Sequence, residues 1–125
     1  MIALLVAAAL PMVVIDEAKT VREEPPPHGA IGMSTAWGIT DGVPGRTMEF
    51  RKRALHKGAA IGAHAIDHDE VYYVLSGRGE VEADGVKAPL GPGMAAYLRS
   101  GQKVGIRNSG AEPLVLIISY PIPSK

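Results

Sequence analysis

The sequence predicts an all-β fold, a barrel or sandwich built from many short strands. Short apolar runs alternate with turn signals at nearly regular spacing along most of the chain. Fifteen glycines and ten prolines supply the turns, and such punctuation between β-branched and aromatic runs marks all-β proteins. From Ile31 onward no window keeps apolar residues at helical spacing for three turns.

The expected strands follow the punctuation. Ile31–Ile39 precedes Asp41-Gly42 and Pro44-Gly45, and Arg46–Leu55 precedes Lys57-Gly58. Gly58–Gly77 reads as strand, turn, strand, with Glu70 opening the run EVYYVL. Gly79–Ala83 stops at Asp84-Gly85, Val86–Leu90 at Pro92-Gly93, and Met94–Leu98 at Ser100-Gly101. Lys103–Asn108 ends at Ser109-Gly110, and Pro113–Tyr120 runs into Pro121 and Pro123, which stop it from extending.

At 125 residues the chain fits one domain, long enough to bury a core without staples. Thirteen basic residues balance thirteen acidic ones, which argues against a broad electrostatic grip on nucleic acid or an anionic membrane. Without cysteine there are no disulfides, thiolate ligands or cysteine nucleophiles. Phosphate loops, dinucleotide fingerprints and serine elbows are also missing.

Residues 1–15 are apolar up to Asp16 and are interrupted by Pro11. The stretch is too short for a membrane span, which needs about 20 apolar residues. It reads as a signal peptide, with Ala7 and Ala9 in an A-x-A arrangement but no basic residue ahead of it, or as an N-terminal strand. The first reading makes the protein secreted or periplasmic, the second cytoplasmic. Residues 16–30 form an arm: Asp16–Glu24 suits an edge strand or a short helix, and Pro25-Pro26-Pro27 is an extended connector. His28 beside Gly29 reads as a surface loop residue. Residues 31–125 form the barrel domain.

Chemistry concentrates in Gly58–Gly77. Alternation puts His64 and Ile66 on one strand face and Glu70, Tyr72 and Val74 on the next. If the two strands pair, His64 and Glu70 face one pocket. In Arg46–Leu55, Thr47, Glu49, Arg51 and Arg53 share one face, and Met48, Phe50, Lys52 and Ala54 the other. The charged face reads as solvated outer surface, or else Arg51 enters the barrel to meet an anionic ligand, since parity does not say which face is inside.

These residues resemble the cupin superfamily. The family's first motif is glycine, five residues, His-x-His, three or four residues, glutamate, six residues, glycine, and Gly58, His64, Glu70 and Gly77 stand at that spacing. Gly93, Gly101 and Asn108 match the second motif. The resemblance covers roughly Gly45 to Tyr120 and implies a double-stranded β-helix, a jelly-roll-like barrel. In metal-binding cupins the motif histidines and the glutamate hold one divalent ion, but here Ile66 and Val104 replace two histidines and Arg99 replaces the second motif's proline.

Three accounts of the site follow. In the first, His64, Glu70 and a substituting His68 hold zinc, manganese or iron. In the second, Glu70 and His64 are a metal-free catalytic pair for proton transfer. In the third, the two hydrogen-bond each other in a barrel that kept its shape alone. Ile66, Tyr72, Val104 and Arg51 are expected to line a mostly apolar pocket. The functional expectation is a small protein, with a divalent metal or none, that binds a small organic ligand. The alternative is a metal-dependent dioxygenase, isomerase or lyase. A homodimer is the expected assembly.

Overall fold

The computed structural model describes residues 9–29 and 31–123. Two antiparallel sheets face each other. β1 (Val21–Glu24), β2 (Ser34–Trp37), β3 (Met48–Leu55), β10 (Leu114–Pro121), β5 (Glu70–Ser76) and β8 (Ala95–Leu98) form one, in that spatial order. β4 (Ala60–Ala65), β9 (Lys103–Asn108), β6 (Gly79–Ala83) and β7 (Val86–Leu90) form the other. Asp16–Glu24 combines both expected forms: a single 3-10 turn at Glu17–Lys19, capped by the Asp16 side chain, leads into edge strand β1. The first eight residues of the candidate signal peptide lie outside the described residues. Of its remainder, Leu10, Val13 and Ile15 lie against the 40–48 loop without forming a strand.

One expected pairing does not occur. β4 and β5 belong to opposite sheets, so Gly58–Gly77 is a corner rather than a hairpin. The cause lies at Ile66, whose N–H donates to the Gln102 carbonyl while its own carbonyl accepts from the Gly101 N–H. Those bonds hold the chain against the β8–β9 turn before it crosses to the other sheet. His64 and Glu70 therefore face each other between the sheets.

The interior changes character along its length. At one end Leu55, Val74, Leu114 and Leu116 from the large sheet meet Val81, Val104 and Ile106 from the small one, all nearly inaccessible. The register that pairs Leu55 with Leu114 and Val74 with Leu116 also pairs Arg51 with Ile118 and Ile118 with Tyr72. Further along β3, β5 and β10, the same inward face turns polar at Arg53, Glu70 and Tyr120. Glu49, Arg53 and Glu70 are buried, whereas Met48 and Phe50 on the opposite face of β3 are exposed. Exposed Tyr73, Leu75 and Tyr97 extend that apolar outer face across the sheet.

Two motif residues hold the apolar end. The Asn108 side-chain amide donates to the carbonyls of Leu55, His56 and Glu112, and its oxygen accepts from the Gly110 N–H, so one buried side chain satisfies several loop groups. Gly77 has φ of 85°, and a Cβ there would stand 2.3 Å from the Pro113 carbonyl oxygen. Gly93 has a similar φ of 79° with open space around it. Gly77→Ala is therefore expected to cost about 2–4 kcal/mol and Gly93→Ala only about 1–2 kcal/mol. Urea denaturation of both variants measures this, and equal losses would mean that φ, not the Pro113 contact, sets the cost.

Candidate functional site

The polar end opens as a cleft between the sheets. Its mouth, about 420 Å³, is lined by His28, His64, Ala65, Ile66, Asp67, His68, Glu70 and Tyr120. Behind it lies an inner chamber of about 100 Å³, bounded by Arg51, Arg53, Ile61, Tyr72 and Ile118 and sharing His28, His64, Glu70 and Tyr120 with the mouth. His64, His68, Glu70, Ile66, Tyr72 and Arg51 all meet here. Val104 does not: it pairs with His64 in the sheet but lies in the apolar core with no exposure. The lining is more apolar than polar, and β3 turns its charged face inward to add Arg51 and Arg53 to it.

Each histidine is held by a different local device. β4 presents His64, whose Nδ1 lies 2.9 Å from the Gly62 carbonyl. A carbonyl only accepts, so Nδ1 is the donor in this contact. His68, on the corner before β5, has Nδ1 2.9 Å from Asp67 Oδ1 and its ring stacked on Tyr120 at 4.3 Å. Its Nε2 is 3.8 Å from Glu70 Oε1, beyond hydrogen-bond range.

His28, expected as a surface loop residue, is a site residue. Its ring lies flat on His64, with centroids 3.5 Å apart and planes 9° from parallel. The arm reaches this position by crossing β4 at Gly62, where any Cβ would meet the His28 carbonyl oxygen at 2.1 Å. A glycine inside a strand was the only sequence signal for that close approach. His28 itself adopts φ of 66°, a conformation costly for a non-glycine residue. Burial, followed by the neighbouring His64, pushes its imidazole toward the neutral form.

Glu70 is 5% exposed and its Oε2 has no hydrogen-bond partner. Burial raises its carboxyl above the ordinary glutamate range, against the opposing influence of His68 and His64. Burial likewise raises the Tyr72 and Tyr120 hydroxyls. On β3, in the same sheet with β10 between, Arg53 donates to Ser34 Oγ at 2.7 Å and pairs with Glu24 at 3.1 Å, while Arg51 pairs with Glu49 at 3.0 Å. Both guanidinium Nε–H groups are buried without a partner. Burial would raise Glu24, but hydrogen bonding from Arg22 and the charge of Arg53 outweigh it and hold its carboxyl below the usual range.

The family profile described as cupin domain matches residues 52–120, more than half of the chain. The chain belongs to the cupin family. A comparison with curated proteins finds no match. Among solved structures this cupin is similar to a predicted oxalate decarboxylase from Thermotoga maritima, at 21% identity and a TM-score of 0.78, over 89% of this chain and 100% of the other. It is similar to an RmlC-like cupin from Shewanella frigidimarina, at 20% identity and a TM-score of 0.66, over 94% and 97% of the two chains. A polyketide cyclase, RemF from Streptomyces resistomycificus, aligns at 18% identity with a TM-score of 0.74, over 90% and 81%. At these identities the likeness carries the fold.

Cupins often hold a divalent metal, and the donors of this chain do not fit one as arranged. Ile66 and Val104 put hydrocarbon at two ligand positions. Imidazole lone pairs lie in the ring plane, so the stacked rings of His28 and His64 send theirs side by side rather than toward one point. Among the described residues no three His, Cys, Asp or Glu groups are placed to hold an ion. Untagged protein incubated with zinc, manganese or ferrous iron and then desalted is expected to carry well under one equivalent by elemental analysis. Stoichiometric metal that disappears in His64→Ala would restore the metal account.

Glu70 also sets a pH dependence. Its carboxyl is raised in the fold, so the native state binds the proton more tightly than the unfolded chain does. Below the ordinary glutamate value both states are protonated and nothing is lost. As pH rises past that value and through the raised one, the wild type loses stability. Glu70→Gln is expected to match the wild type at acidic pH and to melt higher at neutral pH. Parallel melting curves across that range would show that Glu70 is not held toward neutral.

Proposed function

We propose that this cupin binds a small organic molecule in the cleft between its sheets. One observation carries the reading. The buried side-chain polar atoms without a partner among the described residues are Arg51 Nε, Arg53 Nε, His68 Nε2 and Glu70 Oε2, and all four residues line the mouth or the inner chamber. Unpaired buried polar groups are costly, and their confinement to one cleft marks it as built for a polar occupant. A hollow of about 620 Å³ bounded by Ser76, Arg78, Glu112 and Val115 is larger but contains none of them. The mouth also falls within the size range of small-molecule sites.

A second reading rests on Glu70. A carboxyl kept toward neutral beside the free Nε2 of His68 is an acid and base set for proton transfer on the bound molecule. The structural relatives include a predicted decarboxylase and a cyclase, so this fold serves more than one chemistry, and activity here has to be argued from the cleft.

A thermal-shift screen of a metabolite library against the wild type and His64→Trp, which fills the mouth, tests the binding reading. Compounds that raise the melting temperature of the wild type alone are the expected result. An absence of hits, or hits that persist in the variant, would overturn it. A hit that the wild type converts and Glu70→Gln binds without converting would establish the proton-transfer reading.

A further inference from the structure

Behind the cleft, four arginines share three carboxylates. Arg22 contacts Glu24 at 3.1 Å and Asp41 at 3.4 Å, and Arg46 contacts Asp41 at 3.4 Å and Glu49 at 3.0 Å. Arg51 contacts Glu49 at 3.0 Å and Asp41 at 3.7 Å, and Arg53 contacts Glu24 at 3.1 Å. With every carboxylate ionised, this network keeps one uncompensated positive charge. Arg22 is the most exposed of the four side chains, at 47%, and Arg53 the least, at 3%. Arg51 and Arg53 are the members that wall the inner chamber.

Within Arg53 both terminal nitrogens are already engaged, by Ser34 and Glu24, and in Arg51 Nη2 is engaged by Glu49 and Asp41. The Nε–H groups are not. Glu70 also lines the chamber but makes no ion pair with either arginine, its nearest charged contact being His68 at 3.8 Å. His28 and His64 add only positive charge if they titrate. A buried guanidinium with an unsatisfied N–H donor is costly even when its charge is paired, and Arg53 is only 3% exposed.

We propose that the inner chamber is a carboxylate subsite, in which Arg51 and Arg53 hold the anionic end of a small organic acid whose remainder passes Glu70 and Tyr120 to the histidine-lined mouth. The inference rests on the cleft being a ligand site and names the class of ligand. A carboxylate supplies one negative charge for the one in excess and accepts from guanidinium N–H groups. When protonated, Glu70 can donate its O–H to the same group. Phosphate fits less well, since its second charge would overshoot the balance and the chamber of about 100 Å³ is closed partly by Ile61 and Ile118.

Isothermal titration of the full-length protein with acetate, propionate, succinate and benzoate, each beside its amide, tests the assignment. At least one acid is expected to bind roughly tenfold or more tightly than its amide, the size of effect expected from a hydrogen bond to a charged group. That affinity is expected to fall by a similar factor in Arg51→Gln and in Arg53→Lys, with melting curves confirming that both variants fold. Acids and amides that bind alike, or acids whose binding neither variant changes, would overturn the carboxylate subsite. So would failure of every acid. If neutral compounds still stabilise the wild type and not His64→Trp, the cleft remains a ligand site of another class; if nothing does, both readings fall.

Discussion

A guanidinium inside a β-sandwich has to be matched, and much of this structure follows from how Arg53 is matched. Its partners lie at the join of β1 and β2: Glu24 takes one terminal nitrogen, and Ser34 Oγ accepts from the other while donating to the Glu24 carbonyl. The register that pairs Glu24 with Ser34 and Ser34 with Leu55 brings these groups to the inward face of β3. Breaking such a buried pair by removing one partner typically costs about 3–5 kcal/mol. The arm is therefore fastened by charge as well as by its short hairpin. Pro25-Pro26-Pro27 then carries the chain stiffly from Glu24 to His28, so the same ion pair sets where the ring on His64 comes to rest.

The change from apolar to polar along the shared interior divides the work of the fold. β3, β5 and β10 each send their inward side chains first into a dry core, through Leu55, Val74, Leu114 and Leu116, and then into the cleft, through Arg51, Arg53, Tyr72, Glu70 and Tyr120. The apolar half supplies the burial that stabilises a chain of this size. The polar half can then hold unsatisfied donors and a displaced carboxyl equilibrium without unravelling the sheet. Side chains projecting from paired strands are also placed more precisely than side chains on loops.

Strands were legible because glycine and proline mark their ends; Gly79–Ala83, Val86–Leu90 and Lys103–Asn108 form with the expected bounds. Motif spacing pointed to His64 and Glu70, and parity pointed to Arg51 as one of two options. Parity has no sign, however, and what turns Glu49, Arg51 and Arg53 inward is a pair of partners, Glu24 and Ser34, that lie far away in sequence. His28 was illegible for a similar reason, since its contact arises where the arm crosses Gly62. The hairpin expected at residues 58–77 failed because the bonds of Ile66 go to Gly101 and Gln102, a tertiary choice that no local pattern encodes.

The two lost ligand positions and the charged β3 face can be understood together. A central ion needs donors from both sheets, and on the smaller sheet Val104 is sealed into the core while Ile66, at the corner beyond β4, offers only hydrocarbon. Of that side only His64 remains, with its lone pair directed beside the flat face of His28 rather than toward a shared point. The larger sheet keeps Glu70 and adds Arg51 and Arg53, whose guanidinium groups bind anions and do not coordinate cations. Polarity in this barrel is thus one-sided. A divalent cation placed beside two guanidinium groups would be repelled by both, whereas a small organic anion would meet complementary charge on one side and flat imidazole rings on the other.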